Sequence, residues 1–472
     1  MAAQYDLVVV GAGSAGLAGA GFARKLGLKV ALAESSRVGG DCTWTGCVPS
    51  KALLHAAETA HVGRAERRRL FLRRPETDID FTAVRRTVDA ARDRVYALET
   101  PEALARDGIE LFLGPTAFLD AHTLEVGSRA LTAKRFLICT GASPAVPAIP
   151  GLTDGTDLTS ATVFDELTEL PDRLVVLGGG PVGVELAQAF CRLGSRVTLI
   201  GRNRRVLAAA DEEASTIILE ALRSEGITVC IGSEVDRIER GVGSTIVKAG
   251  EQRLECDALL VAAGRRPNVA GLGLEHAGVE IGAMGISVDR NLRTTQSHIY
   301  AAGDVVGSFQ FSHYAGWQAV MAVRNMFLPG STPAMLSAVP WAVFTDPEVA
   351  QVGLTAREAS ERCLHHVIRR FPIARNDRAQ IVGESRGMMK FVLRRNGTIL
   401  GATIVGTAAA ELINEISLAM DNRIPFDRLC RSMHVYPSHG FALQLASVDD
   451  FYEKLVSGAT GSVLRALAGL AR

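Results

Sequence analysis

Cys42 and Cys47 stand five positions apart in the run Gly39-Gly40-Asp41-Cys42-Thr43-Trp44-Thr45-Gly46-Cys47-Val48-Pro49-Ser50-Lys51, where a loop is expected to run into a helix. That placement favours a redox pair over a structural staple. A bridge needs Cα atoms within roughly 4.4–6.8 Å. Gly46 supplies the backbone freedom that brings the ends together, and Pro49 suits a first helical turn. Cys47 then faces the positive end of the helix dipole, which lowers a thiol pKa and makes a thiolate available near neutrality. Two unrelated buried cysteines, or half of a metal site, are the plainer alternatives. No second Cys or Cys/His pair at ligand spacing follows, so neither zinc nor another resident metal is expected.

The elements that must position this pair read as a duplicated nucleotide-binding unit. Leu7-Val8-Val9-Val10-Gly11-Ala12-Gly13-Ser14-Ala15-Gly16 recurs as Leu174-Val175-Val176-Leu177-Gly178-Gly179-Gly180-Pro181-Val182-Gly183. Each copy is an apolar strand ending in G-x-G-x-x-G, then a helical pattern and a second apolar strand. The first glycine turns tightly, the second lets backbone approach a pyrophosphate, and the third lets helix pack on strand. Gly11, Gly13 and Gly16 therefore mark one dinucleotide site, and Gly178, Gly180 and Gly183 another. About 20 residues beyond each first glycine lies the position that reads the adenosine ribose. Glu34 and Gly201 occupy it. Glu34 accepts hydrogen bonds from ribose hydroxyls, as FAD requires. Gly201 cannot, and it opens Gly201-Arg202-Asn203-Arg204-Arg205, where Arg202 and Arg205 suit the 2′-phosphate of NADPH, with NADH possible.

The expected fold class is α/β: two Rossmann-like dinucleotide-binding domains, for FAD and NAD(P), plus a C-terminal α+β dimerisation domain. The FAD domain is discontinuous, residues 1–150 and 265–336, with Thr140-Gly141 closing one layer and a return strand at 299–304 ending on Asp304, a hydrogen-bond acceptor for a cofactor hydroxyl or a plain helix cap. Gly40 and Gly264 join the cofactor contacts. The NAD(P)H domain is 151–264, and the interface domain 337–472, with strands at 390–393 and 400–405 and helices at 408–421 and 441–456. Three domains suit a chain of 472 residues. Basic and acidic residues balance at 51 each, which excludes a nucleic-acid footprint or a membrane-surface charge. The eight cysteines are otherwise scattered, so a cytoplasmic location is expected.

Together these motifs, in this order, resemble the pyridine nucleotide-disulfide oxidoreductases, over nearly the whole chain. The Thr-Trp-Thr insert looks closest to the mercuric-reductase-like branch. The resemblance implies that Cys47 lies against the flavin and Cys42 is the exposed interchange thiol. It pairs Lys51, near the flavin N5, with Glu185, and such a lysine stabilises negative charge developing on a reducible ring. It further implies that NADPH reduces the flavin, that the flavin reduces the disulfide, and that the dithiol reduces a small-molecule acceptor. A homodimer is implied, the C-terminal domain completing the partner's site.

The same domain departs from the pattern. The usual disulfide reductases end in His-Pro-Thr with a glutamate five residues after the His. Here the segment is His434-Val435-Tyr436-Pro437-Ser438-His439-Gly440-Phe441, so Tyr436 replaces the His and Phe441 the Glu. A phenol with an ordinary pKa near ~10 is a poor base at neutral pH, though it donates a hydrogen bond or proton. Mercuric reductases also use a tyrosine nearby, but their C-terminal cysteine pair has no counterpart here, the last cysteine being Cys430. His434 and His439 are substitute acids or ordinary surface histidines. Arg64, Arg67, Arg68, Arg69, Arg73 and Arg74 read as a solvated helix end or a contact for an anion. The expected activity is thus a FAD-dependent, NADPH-oxidising reductase acting on a small disulfide, soft electrophile or metal ion. Quinone or one-electron acceptor reduction, or a redox sensor without diffusible substrate, are the alternatives.

Overall fold

In the computed structural model, which describes residues 3–68, 79–152, 157–241, 244–307 and 309–470, the run Leu7–Val10 is apolar without alternation because both its faces are buried. Leu7 and Val9 face a cluster with Leu32, Leu137 and the helices Ser14–Lys25 and Ser312–Phe327. Val8 and Val10 face Phe118, Leu124, Leu131 and Phe136. The strand Tyr5–Val10 pairs in parallel with Val30–Glu34 and with Arg129–Ile138, and the sheet continues to Ile109–Leu113 on one side. On the other side Ile299–Ala301 returns to pair with Phe136–Ile138, as a discontinuous first nucleotide domain requires. An antiparallel meander, Thr116–Asp120, Thr123–Val126 and Arg129–Ile138, covers the second face.

Small residues let the two helices on the first face approach. A Cβ on Gly19 would meet Leu137 Cδ2 at 2.8 Å and Ala319 Cβ at 3.3 Å. Any larger side chain would push the helices apart and open the core.

The chain forms two compact units, one of residues 1–178, 189–200 and 234–336, the other of 179–188, 201–233 and 337–472. The first also holds the parallel strands Leu158–Thr159, Arg173–Leu177 and Ala258–Val261, the last pairing with both others. The expected exit turn after Gly264 is instead a short strand, Arg265–Pro267, antiparallel to Ala142–Pro144. The two short segments, over 100 residues apart in sequence, run side by side and satisfy each other's backbone.

The second unit contains a five-stranded antiparallel sheet in the order Trp341–Val343, Val349–Gly353, Ile399–Val405, Met388–Leu393, Val367–Pro372. The helices Ala409–Asp421 and Phe441–Val456 cover a core of Phe371, Phe391, Phe426, Ile413 and Leu443. That is the α+β arrangement expected. One charge sits inside it: Lys390 Nζ donates to Asp211 Oδ1 and Oδ2 at 2.9 and 2.8 Å and to Glu213 Oε1 at 2.7 Å. Arg370 also holds Glu213, at 2.8 Å. No helix among the described residues is long and apolar enough to cross a membrane.

Removing one member of this buried set strands the others. Asp211→Ala is expected to lower unfolding stability by about 3–5 kcal/mol, because Lys390 loses its best partner while its surroundings stay apolar. Arg370 first, then Lys390, pull the Glu213 carboxyl down to about 2 against the opposing effect of burial. A carboxylate depressed in the folded state contributes stability above its unfolded pKa and loses it as pH falls through the folded value. Urea midpoints should therefore fall between about pH 4.3 and about pH 2, and Glu213→Gln should flatten that fall.

Candidate functional site

The N-termini of three helices meet around the two cysteines. Cys47 is the first residue of the helix Cys47–Arg68, Ser312 of Ser312–Phe327, and Ser14 of Ser14–Lys25. Cys47 Sγ lies 3.5 Å from Ser312 Oγ, and Ser312 and Ser14 both act to lower the Cys42 thiol pKa. Each helix end presents partial positive charge, and the hydroxyls add donors, so the pocket favours sulfur in its anionic form. Against that, the hydrogen bond from Cys47 and then burial push the Cys42 thiol well above its ordinary range, while Ser312 and Ser14 pull it back.

Cys47 is exposed at the head of its helix, and Cys42 is half-buried within the short helix Gly40–Trp44. Gly46 is needed for closeness and not for an unusual φ. Its N–H donates to the Asp41 carbonyl at 2.5 Å, and a Cβ there would lie 2.9 Å from that oxygen and 3.2 Å from Cys42 Cα. The Thr-Trp-Thr insert is structural, with Trp44 Nε1 donating to the Val38 carbonyl at 2.8 Å and its ring against Tyr96.

The first glycine loop fits a dinucleotide. Gly11 has φ +99°, and a Cβ there would sit 2.4 Å from the Cys139 carbonyl oxygen; one on Gly16 would sit 1.8 Å from the Gly11 oxygen. Gly13, by contrast, would meet only Gly40 Cα, at 3.8 Å, so the loop stays open where a pyrophosphate must approach a helix N-terminus. Gly40, with φ +58°, packs in turn on Gly13. Glu34 ends its strand as expected, its two oxygens accepting the Ala12 and Ser36 N–H groups at 2.7 Å each. A carboxylate so used keeps lone pairs for ribose hydroxyls, and it fixes the loop as well. Thr140 and Asn268 clasp each other, Thr140 Oγ1 donating to the Asn268 carbonyl at 2.7 Å and Asn268 Nδ2 to the Thr140 carbonyl at 2.8 Å. Gly141 and Gly264 both take positive φ with open space beside them. Asp304 opens a 3-10 turn whose cap is Gly303, so it is not itself the cap; burial raises its carboxyl pKa.

Two groups beside this loop escaped the sequence reading. Arg265 Nη2 donates to Asp41 Oδ2 at 2.5 Å, and Ser312 reaches the cysteines from 265 positions away. Neither distance leaves a trace in local spacing. Lys51 stands one turn along the helix from Cys47.

In the second nucleotide motif Gly178 takes φ +128°, a Cβ there falling 2.1 Å from the Ala262 carbonyl, and Gly180 has nothing within 4 Å. Gly183 lies on the helix Pro181–Leu193. The second unit holds Gly201 against Gly179, and Leu207 N–H donates to the Gly179 carbonyl at 2.7 Å. Arg202 is exposed, while Arg205 is tied to Glu212 at 3.3 Å and to the Ala208 carbonyl. Glu185 is buried, its Oε1 accepting the Phe344 N–H at 2.8 Å.

At the C-terminal segment Tyr436 donates to Asp377 Oδ2 at 3.0 Å, which raises the phenol pKa and keeps the group protonated. Phe441 packs edge-on against it. His434 faces acceptors at both ring nitrogens, the Ser432 carbonyl at 3.0 Å from Nδ1 and the Glu415 carboxylate at 3.0 and 3.1 Å from Nε2. Burial lowers the His439 pKa. Arg69, Arg73 and Arg74 lie outside the described residues, as do the side chains of Arg64, Arg67 and Arg68.

Comparison with known proteins agrees with this geometry. Residues 5–319 match the family described as pyridine nucleotide-disulphide oxidoreductase, and residues 339–446 the dimerisation domain of the same family. A mercuric reductase of Streptomyces lividans is 36% identical over 455 residues, covering 94% of this chain and 95% of the relative. A dihydrolipoyl dehydrogenase of Thermus scotoductus is 35% identical over 446 residues, 92% of this chain and 95% of that one. The solved HOCl-induced flavoprotein disulfide reductase RclA of Escherichia coli superposes with a TM-score of 0.85 at 30% identity, covering 94% of this chain and 100% of its own. With two glycine cradles fit for FAD and NAD(P)H and a cysteine pair beside the first, the chain belongs to the pyridine nucleotide-disulphide oxidoreductase family and is an NAD(P)H-dependent flavoprotein disulfide oxidoreductase.

Proposed function

We propose that the protein is a cytosolic, homodimeric, NADPH-oxidising reductase that passes electrons through Cys42 and Cys47 to a metal ion or soft electrophile rather than to an ordinary disulfide. The observation that carries this reading is Tyr436, hydrogen-bonded to Asp377 and packed on Phe441 where the family's usual His and Glu would stand. Turnover of an ordinary disulfide needs a group that takes up a thiol proton and returns it to the leaving thiolate, and a phenol held protonated by Asp377 does not take one up near neutral pH. An acceptor that is reduced without a thiol leaving group has no such need. The reading gains support from the mercuric reductases among the relatives and from a copper(II) complex of RclA among the similar solved structures, 30% identical with a TM-score of 0.83. The match to a dimerisation domain supports the homodimer.

The proposed residue roles rest on the family resemblance and on the open glycine loops. The bound FAD relays electrons between the pyridine nucleotide and the thiols. Gly11, Gly13, Gly16, Gly40, Glu34, Thr140, Gly141, Gly264 and Asp304 hold it. Lys51 and Glu185 keep the roles the resemblance gives them. Gly178, Gly180 and Gly183 cradle the coenzyme pyrophosphate, and Arg202 with Arg205 reads the 2′-phosphate. The domain limits are 1–150 with 265–336 for FAD, 151–264 for NADPH and 337–472 for the interface.

Coenzyme choice tests the arginine turn. Arg202→Ala should raise the KM for NADPH by roughly 10–100-fold, the value of one charge-assisted contact of about 1.5–3 kcal/mol, and leave NADH almost unchanged. Arg205→Ala should cost less, since Glu212 already shares its charge. Equal losses for both coenzymes would refute the assignment.

Acceptor choice tests the missing dyad. Steady NADPH oxidation should be sustained by copper(II) or mercury(II) ions and only slowly by glutathione disulfide. Tyr436→His with Phe441→Glu should raise glutathione disulfide turnover by about tenfold or more, within the range general acid catalysis supplies. Fast wild-type turnover of glutathione disulfide, unaffected by Tyr436→Phe, would overturn the reading. Reduction that stops stoichiometrically with every acceptor would instead mark a redox sensor.

A further inference from the structure

Arg265 serves two carboxylates from the short strand that follows Gly264. Its Nη2 donates to Asp41 Oδ2 and to the Ala142 carbonyl, each at 2.5 Å, and its Nε lies 3.6 Å from Asp304 Oδ2. That Nε is buried and makes no hydrogen bond. Asp41 directly precedes Cys42 in the helix Gly40–Trp44. Its Oδ1 accepts the Thr45 hydroxyl, and its carbonyl accepts the N–H groups of Thr45 and Gly46 at 2.9 and 2.5 Å. The residue that closes the loop between the two cysteines thus carries a full negative charge beside the first of them.

A carboxylate next to a thiol disfavours its anion, and a guanidinium bound to that carboxylate cancels much of the effect. Here the arginine side chain is only 22% exposed, so water screens the pair far less than on an open surface. Asp304, also largely buried, belongs to the same charge set: Arg265 lowers its carboxyl pKa and Asp41 raises it. The elements packed against the helix, Cys47–Arg68 and Phe81–Tyr96, carry Cys47, Lys51, Arg92 and Tyr96 among their ionisable groups, and Glu99 accepts the Thr43 hydroxyl at 2.9 Å. Arg92 is committed to Asp89 and Asp165, and Tyr96 to the Trp44 ring.

We propose that Arg265 is a positioning residue that tunes the Cys42–Cys47 couple: it neutralises Asp41 at the first cysteine and ties the cysteine loop to the strand end carrying Asp304. The proposal rests on these cysteines being the redox pair. Reduction breaks their S–S bond and, with one thiol ionised, adds negative charge to the pocket. Asp41 opposes that gain and Arg265 favours it.

The charges fix the sign of two variants in opposite senses. The FAD-loaded protein is equilibrated at fixed pH with mixtures of reduced and oxidised dithiothreitol, and the fraction of reduced Cys42–Cys47 is read by alkylation and mass spectrometry. Asp41→Asn should shift the equilibrium constant about three- to tenfold toward the dithiol, and Arg265→Met by a similar factor toward the disulfide, as expected for roughly half to one pKa unit of charge effect. Asp41→Asn with Arg265→Met should return near wild type, and Arg265→Lys should stay there. If Arg265→Met loses FAD or folds poorly, Asp41→Asn and Arg265→Lys still decide the matter. Unchanged constants, or both single variants moving the same way, would overturn the proposal, since a merely structural contact has no sign. The measurement needs no electron acceptor, so opposite shifts in a protein that turns over no metal ion or electrophile would uphold the tuning role and remove only the reductase reading.

Discussion

Everything at the first site depends on bringing helix N-termini to one point. Three helices start within hydrogen-bonding reach of two sulfur atoms, and such a gathering of partial positive charge is unfavourable until an anion occupies it. The chain holds the ends together through backbone contacts that only glycine allows. Gly40 packs on Gly13, Gly16 lies against Gly11, and Gly46 closes on Asp41. A side chain on Gly16, Gly40 or Gly46 would meet backbone at 1.8, 2.8 or 2.9 Å, so the position of the cysteine loop relative to the nucleotide loop is set by sterics more than by attraction. The small-residue seam around Gly19 and Ala319 serves the same end one layer down, letting the helix that carries Ser312 approach the helix that carries Ser14.

What was legible in the sequence is what is local. The glycine loops, the two thiols, Glu34 at its strand end and the strands of the C-terminal sheet all announce themselves within about 25 residues of their partners, because tight turns and short apolar runs impose residue types at fixed offsets. The partners that complete the site are remote. Ser312 meets Cys47 across 265 positions, Arg265 meets Asp41 across 224, and Tyr436 meets Asp377 across 59. A serine, an arginine and an aspartate have many uses, and no spacing rule singles them out. Asp304 shows the intermediate case: its strand was legible, but that Gly303 caps the turn and Arg265 faces the carboxylate was not.

The coenzyme turn draws its rigidity from a comparable arrangement in the second unit. Arg205 leans on Glu212, the first residue of the helix Glu212–Ser224, and Asp211 caps that helix by accepting the Glu213 N–H at 3.0 Å. Asp211 is in turn gripped by Lys390 from the antiparallel sheet, and its own N–H donates to Gln351 Oε1 at 3.1 Å. A chain of contacts therefore runs from two strands of the sheet, through a buried ion pair and a helix cap, to an arginine on the turn. A surface arginine samples many rotamers, and one paired with Glu212 samples fewer. The buried Lys390–Asp211 pair costs desolvation, and it fixes the start of the helix on which that arginine leans.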